Sequence, residues 1–171
     1  MAHQQRRIDR VLEPVYVTEV PSCPLEELRA RHSECLEIET EVSYVRRLAQ
    51  ARLDILRAEL DRRAAGGSVG DLIAALPQIL ADAGPRASVT ESRLPRHLAP
   101  SMDIEWNRGL EHLVFDDTLA NLPTLTDEEL RATIEQLATL ERELSERRRS
   151  LHGVIEAIEL DLAGRHKVGR T

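Results

Sequence analysis

The chain has 171 residues, with 23 Lys+Arg against 30 Asp+Glu, a formal charge of -7, 31% charged side chains and 2% aromatic. One Phe, one Trp and two Tyr cannot fill the core of an ordinary sandwich or barrel, and the length points to a single domain. Leu, Ala, Glu and Arg dominate instead, the mixture that accompanies long helices and coiled coils.

Residues 1–21 form a mixed tail ending in Pro21, with one short apolar run, Val15-Tyr16-Val17; it is expected to be flexible and irregular. From Ser22, read as an N-cap, with Pro24, Glu26 and Glu27 in the first turn, a helical pattern runs to Ala65 before Gly66-Gly67 stops it. At 1.5 Å per residue this is a rod of roughly 60 Å. Residues 66–125 are a connector whose clear element is a short amphipathic helix from Asp71 past Pro77 to about Asp82. Gly84 to Pro100 reads as flexible. Met102 to Leu122 carries Trp106, Leu110, Leu113, Val114 and Phe115, which are expected to pack on the rods or on a partner. Thr126-Asp127-Glu128-Glu129 is a capping box that opens a second rod. That rod is expected to end at about Ala163, where Gly164 breaks it, with 165–171 as a tail.

Both rods carry an a/d heptad. In the first, the seam is Leu25, Leu28, His32, Cys35, Glu39, Val42, Arg46, Ala49, Leu53, Leu56 and Leu60. In the second it is Leu130, Ile134, Leu137, Glu141, Leu144, Arg148, Leu151, Ile155, Ile158 and Leu162. The connector is long enough for the rods to fold back on each other. The expected fold is therefore all-α, with two long helices in an antiparallel coiled coil joined by a long connector that holds a short helix.

Polar residues interrupt both seams with one spacing. Glu39, Ser43, Arg46, Gln50 and Asp54 in the first rod match Glu141, Ser145, Arg148, His152 and Glu156 in the second. At about 100° per residue, the five offsets fall within an arc of about 80°, giving each rod a polar stripe of about 22 Å beside its seam. In an antiparallel pair centred on the motifs, Arg46 is expected opposite Arg148, Glu39 near Glu156 and Asp54 near Glu141. One or two polar seam positions are enough to set a register; a five-residue stripe occurring twice suits a two-fold ligand.

The chemistry of the stripe fits a guanine nucleotide. An Arg fork matches guanine O6 and N7 or a phosphate, a carboxylate accepts from guanine N1–H and N2–H, and Ser or Gln bonds phosphate and sugar oxygens. With no Gly-x-x-x-x-Gly-Lys-Ser/Thr loop in the sequence, a cyclic or monophosphate-diester ligand lying on a helical face fits better than a triphosphate. On this reading Arg46 and Arg148 grip guanine edges or phosphates, and Glu39, Asp54, Glu141 and Glu156 read guanine N–H groups. Ser43, Ser145, Gln50 and His152 complete the contacts.

The arrangement Glu-x3-Ser-x2-Arg-x3-Gln-x3-Asp resembles the signature of the RsiG family of anti-sigma factors, which bind cyclic di-GMP. The first copy matches at all five positions; the second has His152 for Gln and Glu156 for Asp. A His still donates one bond, and a Glu keeps the acceptor chemistry on a longer stem. The resemblance implies an antiparallel coiled coil with one motif per helix and a cyclic di-GMP dimer seated on the motifs. It also implies a loaded protein that sequesters a flagellar/WhiG-type sigma factor, blocks its transcription and so controls sporulation.

Other classes fit less well. No nucleophile, base and orienter occur together, and the six histidines are scattered, so an enzyme is not expected. Cys23 and Cys35 make neither a disulfide scaffold nor a zinc site, and no metal is expected. Direct nucleic-acid binding rests only on Arg62-Arg63 and Arg147-Arg148-Arg149, which are interleaved with glutamates. The N-terminus lacks an apolar h-region, and no run approaches the ~18 apolar residues of a membrane span, so the protein is read as cytoplasmic. The rival reading is a coiled-coil adaptor or scaffold without a nucleotide, in which the stripe specifies helix pairing.

Overall fold

The computed structural model describes residues 6–82 and 119–168. These residues form five α-helices and two 3₁₀ turns, with no strand among them. Two short helices, α1 (Arg7–Val11) and α2 (Pro14–Thr18), lead through a 3₁₀ turn at Val20–Ser22 into the long α3 (Leu25–Ala64). Helix α4 (Val69–Asp82) follows; a second 3₁₀ turn, Leu122–Thr124, precedes the long α5 (Asp127–Val168). Trp106, Leu110, Leu113, Val114, Phe115 and the stretch from Gly84 to Pro100 lie outside the described residues.

The two rods pair antiparallel along their length. Residue numbers fall on α5 as they rise on α3, from His32–Glu159 at 3.0 Å through Arg46–Glu141 at 3.3 Å to Arg63–Asp127 at 2.9 Å. The heptad aliphatics form the seam: Leu28, Cys35, Val42, Ala49, Leu53 and Leu56 are buried against Leu130, Leu137, Leu144, Leu151, Ile155 and Ile158. Ile38, Val45, Leu140 and Val154 widen it beyond a strict a/d pattern, as a bundle with a third layer requires.

That third layer is the segment before α3, which the sequence reading leaves irregular. Ile8 and Val11 of α1 are fully buried, with Tyr16 and Val20 behind them. Arg7 bonds Glu34 at 3.4 Å and Glu37 at 3.0 Å, and Arg10 pairs with Glu34. Asp9 reaches Arg147 of α5 at 3.6 Å, and the Arg31 guanidinium lies 4.9 Å over the Tyr16 ring. Helices of five residues have no autonomous stability; these two are held by the surface that the rods present.

The rod ends also differ from expectation. Ser22 belongs to the 3₁₀ turn rather than capping α3, which begins at Leu25 with Pro24 at its N-cap position. At the other end of α3, Gly66 adopts φ 69°. Gly66 N–H donates to Arg63 O and Gly67 N–H to Arg62 O at 3.1 and 3.0 Å, a Schellman stop. Gly164, in contrast, does not stop α5, which continues to Val168. The reason is Arg165, whose guanidinium donates to the carbonyls of Cys23, Val20 and Pro21 at 2.7, 3.0 and 3.1 Å and thereby ties the last turn to the entry of α3. Arg63 performs the same service at the opposite end, donating to Leu125 O and Leu122 O at 2.7 and 2.9 Å.

Candidate functional site

The two polar stripes meet at the middle of the rod pair, but one heptad away from the expected register. Arg46 does not face Arg148. Its Nη1 donates to Glu141 Oε1 at 3.3 Å, and Arg148 Nε donates to Glu39 Oε1 at 3.0 Å. Glu39 therefore lies near Arg148 and His152, not Glu156, and Asp54 lies far from Glu141. The physical reason is charge: the apolar seam tolerates a slip of one heptad, and the slip exchanges an Arg–Arg apposition for two Arg–Glu pairs.

The result is a pseudo-two-fold site. Ser43 Oγ donates to Glu39 Oε1 at 2.8 Å, and Ser145 Oγ donates to Glu141 Oε1 at the same distance. Each Glu is thus held by the Ser one turn along its own helix and by the Arg of the other helix. The axis passes near Val42 and Leu144, both fully buried beneath the site. The outer motif positions leave this centre in opposite directions. Gln50 Nε2 turns along its helix to Asp54 Oδ1 at 2.9 Å. His152 Nε2 instead crosses to Glu39 Oε1 at 3.2 Å, and Glu156 is exposed. From the rise per residue, Asp54 and Glu156 lie about 35 Å apart along the axis. Six motif residues and His152 are thus brought together; Gln50, Asp54 and Glu156 are arms of the same surface.

Burial raises the Glu39 carboxyl, but hydrogen bonds from Ser43, His152 and Arg148 outweigh it and hold this group below the usual carboxylate range. The site arginines and carboxylates are half-buried; Arg46 is 25% and Arg148 34% exposed. Part of each pair still faces water, and a ligand whose charged and polar groups satisfy both partners can replace it.

The N-terminal helices dock on the face opposite the motifs. At about 100° per residue, Glu34, Glu37 and Glu41 point roughly opposite to Glu39, Ser43 and Arg46, and it is Glu34 and Glu37 that receive Arg7. The heptad pattern alone does not mark this division of faces. Nor does it mark the paired clamps Arg63 and Arg165, although they are separated by the same interval as Glu39 and Glu141. The motifs Val20-Pro21-Ser22 and Leu122-Pro123-Thr124, again at that interval, were the available signal.

The RsiG-like family matches residues 14–80 and 116–171. The chain belongs to the RsiG-like family. Both matched stretches contain one long helix and one motif, and membership makes the chain an anti-sigma factor with a sigma factor as its partner. No curated protein matches it. In this RsiG-like chain no helix among the described residues is long and apolar enough to cross a membrane. None of those residues form a group of His, Cys, Asp and Glu able to hold a metal ion.

Proposed function

We propose that the chain is a cyclic di-GMP-dependent, non-catalytic anti-sigma factor of the cytoplasm. It takes up the dinucleotide as a dimer on the face built from Glu39, Ser43, Arg46, Gln50 and Asp54 and from Glu141, Ser145, Arg148, His152 and Glu156. In the loaded state it sequesters a flagellar/WhiG-type sigma factor and blocks transcription of sporulation genes. The observation that carries this reading is the crossed pairing of Arg46 with Glu141 and Arg148 with Glu39 at 3.3 and 3.0 Å. It supports the reading because it brings two copies of one residue set, with chemistry suited to guanine and phosphate, together across a pseudo-two-fold axis, and family membership favours a sigma factor as the partner.

On ligand binding each Arg–Glu pair opens, the carboxylate accepts guanine N–H donors, and the freed guanidinium takes a guanine edge or a phosphate. Opening the pairs is offset because the ligand's own donors and acceptors take over both the carboxylate and the guanidinium. If the ligand forms part of the sigma-binding surface, linkage requires it to strengthen sigma capture by the factor by which sigma tightens ligand binding.

The test is calorimetric titration of cyclic di-GMP into the full chain, alone and with the sigma factor, with cyclic di-AMP as control. Guanine-selective heat is expected, and Arg46→Ala/Arg148→Ala should abolish it while leaving helical circular dichroism nearly unchanged. Binding retained in that variant overturns the site. Absence of guanine-selective heat even with the sigma factor present leaves the stripe as a pairing device of the adaptor kind.

A further inference from the structure

The two halves of the site are related by the pseudo-two-fold axis, but their hydrogen bonding is not the same. Glu39 Oε1 receives three donors: Ser43 at 2.8 Å, Arg148 at 3.0 Å and His152 at 3.2 Å. One carboxylate oxygen has two lone pairs, so it is saturated. Arg148 Nε is equally committed, lying 2.9 Å from Ser43 Oγ as well as bonding Glu39. In the other half, Glu141 Oε1 receives Ser145 at 2.8 Å and Arg46 Nη1 only at 3.3 Å. Arg46 Nε is buried without a hydrogen-bond partner, a donor whose need a ligand acceptor can meet. The residue equivalent to His152 is Gln50, which bonds Asp54 on its own helix at 2.9 Å and leaves Glu141 alone.

We propose that His152 latches one half of the site, so that the first ligand molecule enters on Arg46 and Glu141 and the second enters on Arg148 and Glu39 only after the His152–Glu39 contact opens. This rests on the cyclic di-GMP reading above and adds an order of filling to it. For the ligand to bond Glu39 Oε1 and Arg148 together, the donors already crowded on that oxygen must leave it. Glu39 has one more to release than Glu141, and it is the better held. The displaced charge-assisted bond separates the two affinities by about tenfold. His152 is therefore a positioning residue, acting through Glu39, and the departure of the second motif from Gln is what makes the halves unequal.

The experiment is calorimetric titration of cyclic di-GMP into the full chain, with sigma factor added if the chain alone gives no heat, for the natural sequence, His152→Gln and Arg46→Ala. Two steps about tenfold apart are expected in the natural sequence. His152→Gln should tighten the second step and merge the two, and Arg46→Ala should remove the tighter step. Two equal steps that His152→Gln leaves unchanged overturn the latch, as does a second step weakened by that variant, the result of a direct ligand contact by His152. If no variant shows guanine-selective heat with sigma present, the ligand assignment itself falls and the latch with it; guanine-selective heat without inequality removes the latch alone.

Discussion

Glu59 shows how one side chain reports on the closure of the rods. It is only 2% exposed near the end of α3. Arg62 donates to it at 2.7 and 2.8 Å and Arg63 at 2.6 Å. Those bonds, Arg62 foremost, hold its carboxyl at about 2 against an ordinary 4.5. A carboxylate depressed in the folded state stabilises the fold above its unfolded value and loses that contribution as pH falls through the folded one. Glu59→Gln should therefore lower the urea midpoint at pH 7. Its difference from the natural chain should shrink as pH falls from about 4.5 towards 2, measured by paired urea melts across that window. A difference independent of pH would mean that Glu59 acts through packing alone. Arg63 gains a second role from the same geometry, because the guanidinium held by Glu59 is the one that grips the Leu122 and Leu125 carbonyls.

Among the elements, the two rods start in different ways. In α5 the capping box is complete: Thr126 N–H donates to Glu129 Oε2 at 2.8 Å, and Glu129 N–H donates back to Thr126 Oγ1 at 3.2 Å. Thr126→Ala should cost about 1 kcal/mol of stability, read as a lower urea midpoint with an unchanged slope. Helix α3 has no side-chain cap and depends on Arg165 reaching across from the far end of α5. Short elements follow the same logic in reverse. Helix α4 is legible from Asp71 onwards because Leu72 is buried and Pro77 is accommodated within the helix. Helices α1 and α2 are illegible because nothing within five residues can announce a helix whose stability comes from another surface. Truncating that surface contact makes the point testable. Ile8→Ala, at a site with no exposure, should cost about 2–5 kcal/mol and expose the segment to limited proteolysis. A cost below about 0.5 kcal/mol, the range of surface substitutions, would mean that α1 is not part of the fold.

At the scale of the molecule, an antiparallel pair with one motif per helix is a single chain arranged as its own two-fold partner. Arg46–Glu141 repeats as Arg148–Glu39, and Arg63 on the second 3₁₀ turn repeats as Arg165 on the first. The N-terminal helices sit on the face opposite the motifs, which leaves the polar surface on the other. The amino-acid sequence by itself determined the all-helical class, most of the apolar seam positions, the capping box and the spacing that the two motifs share. Each of these is a matter of periodicity or local chemistry within a few turns. Tertiary structure alone decided the register, the continuation of α5 through Gly164, and the folding of the first helices onto the back face. A heptad seam looks the same after a slip of seven residues, so its apolar pattern cannot choose between Arg46 facing Arg148 and Arg46 facing Glu141. Only when both helices are present do opposite charges and the end clamps select one alignment, and that alignment brings the centres of the two motifs together.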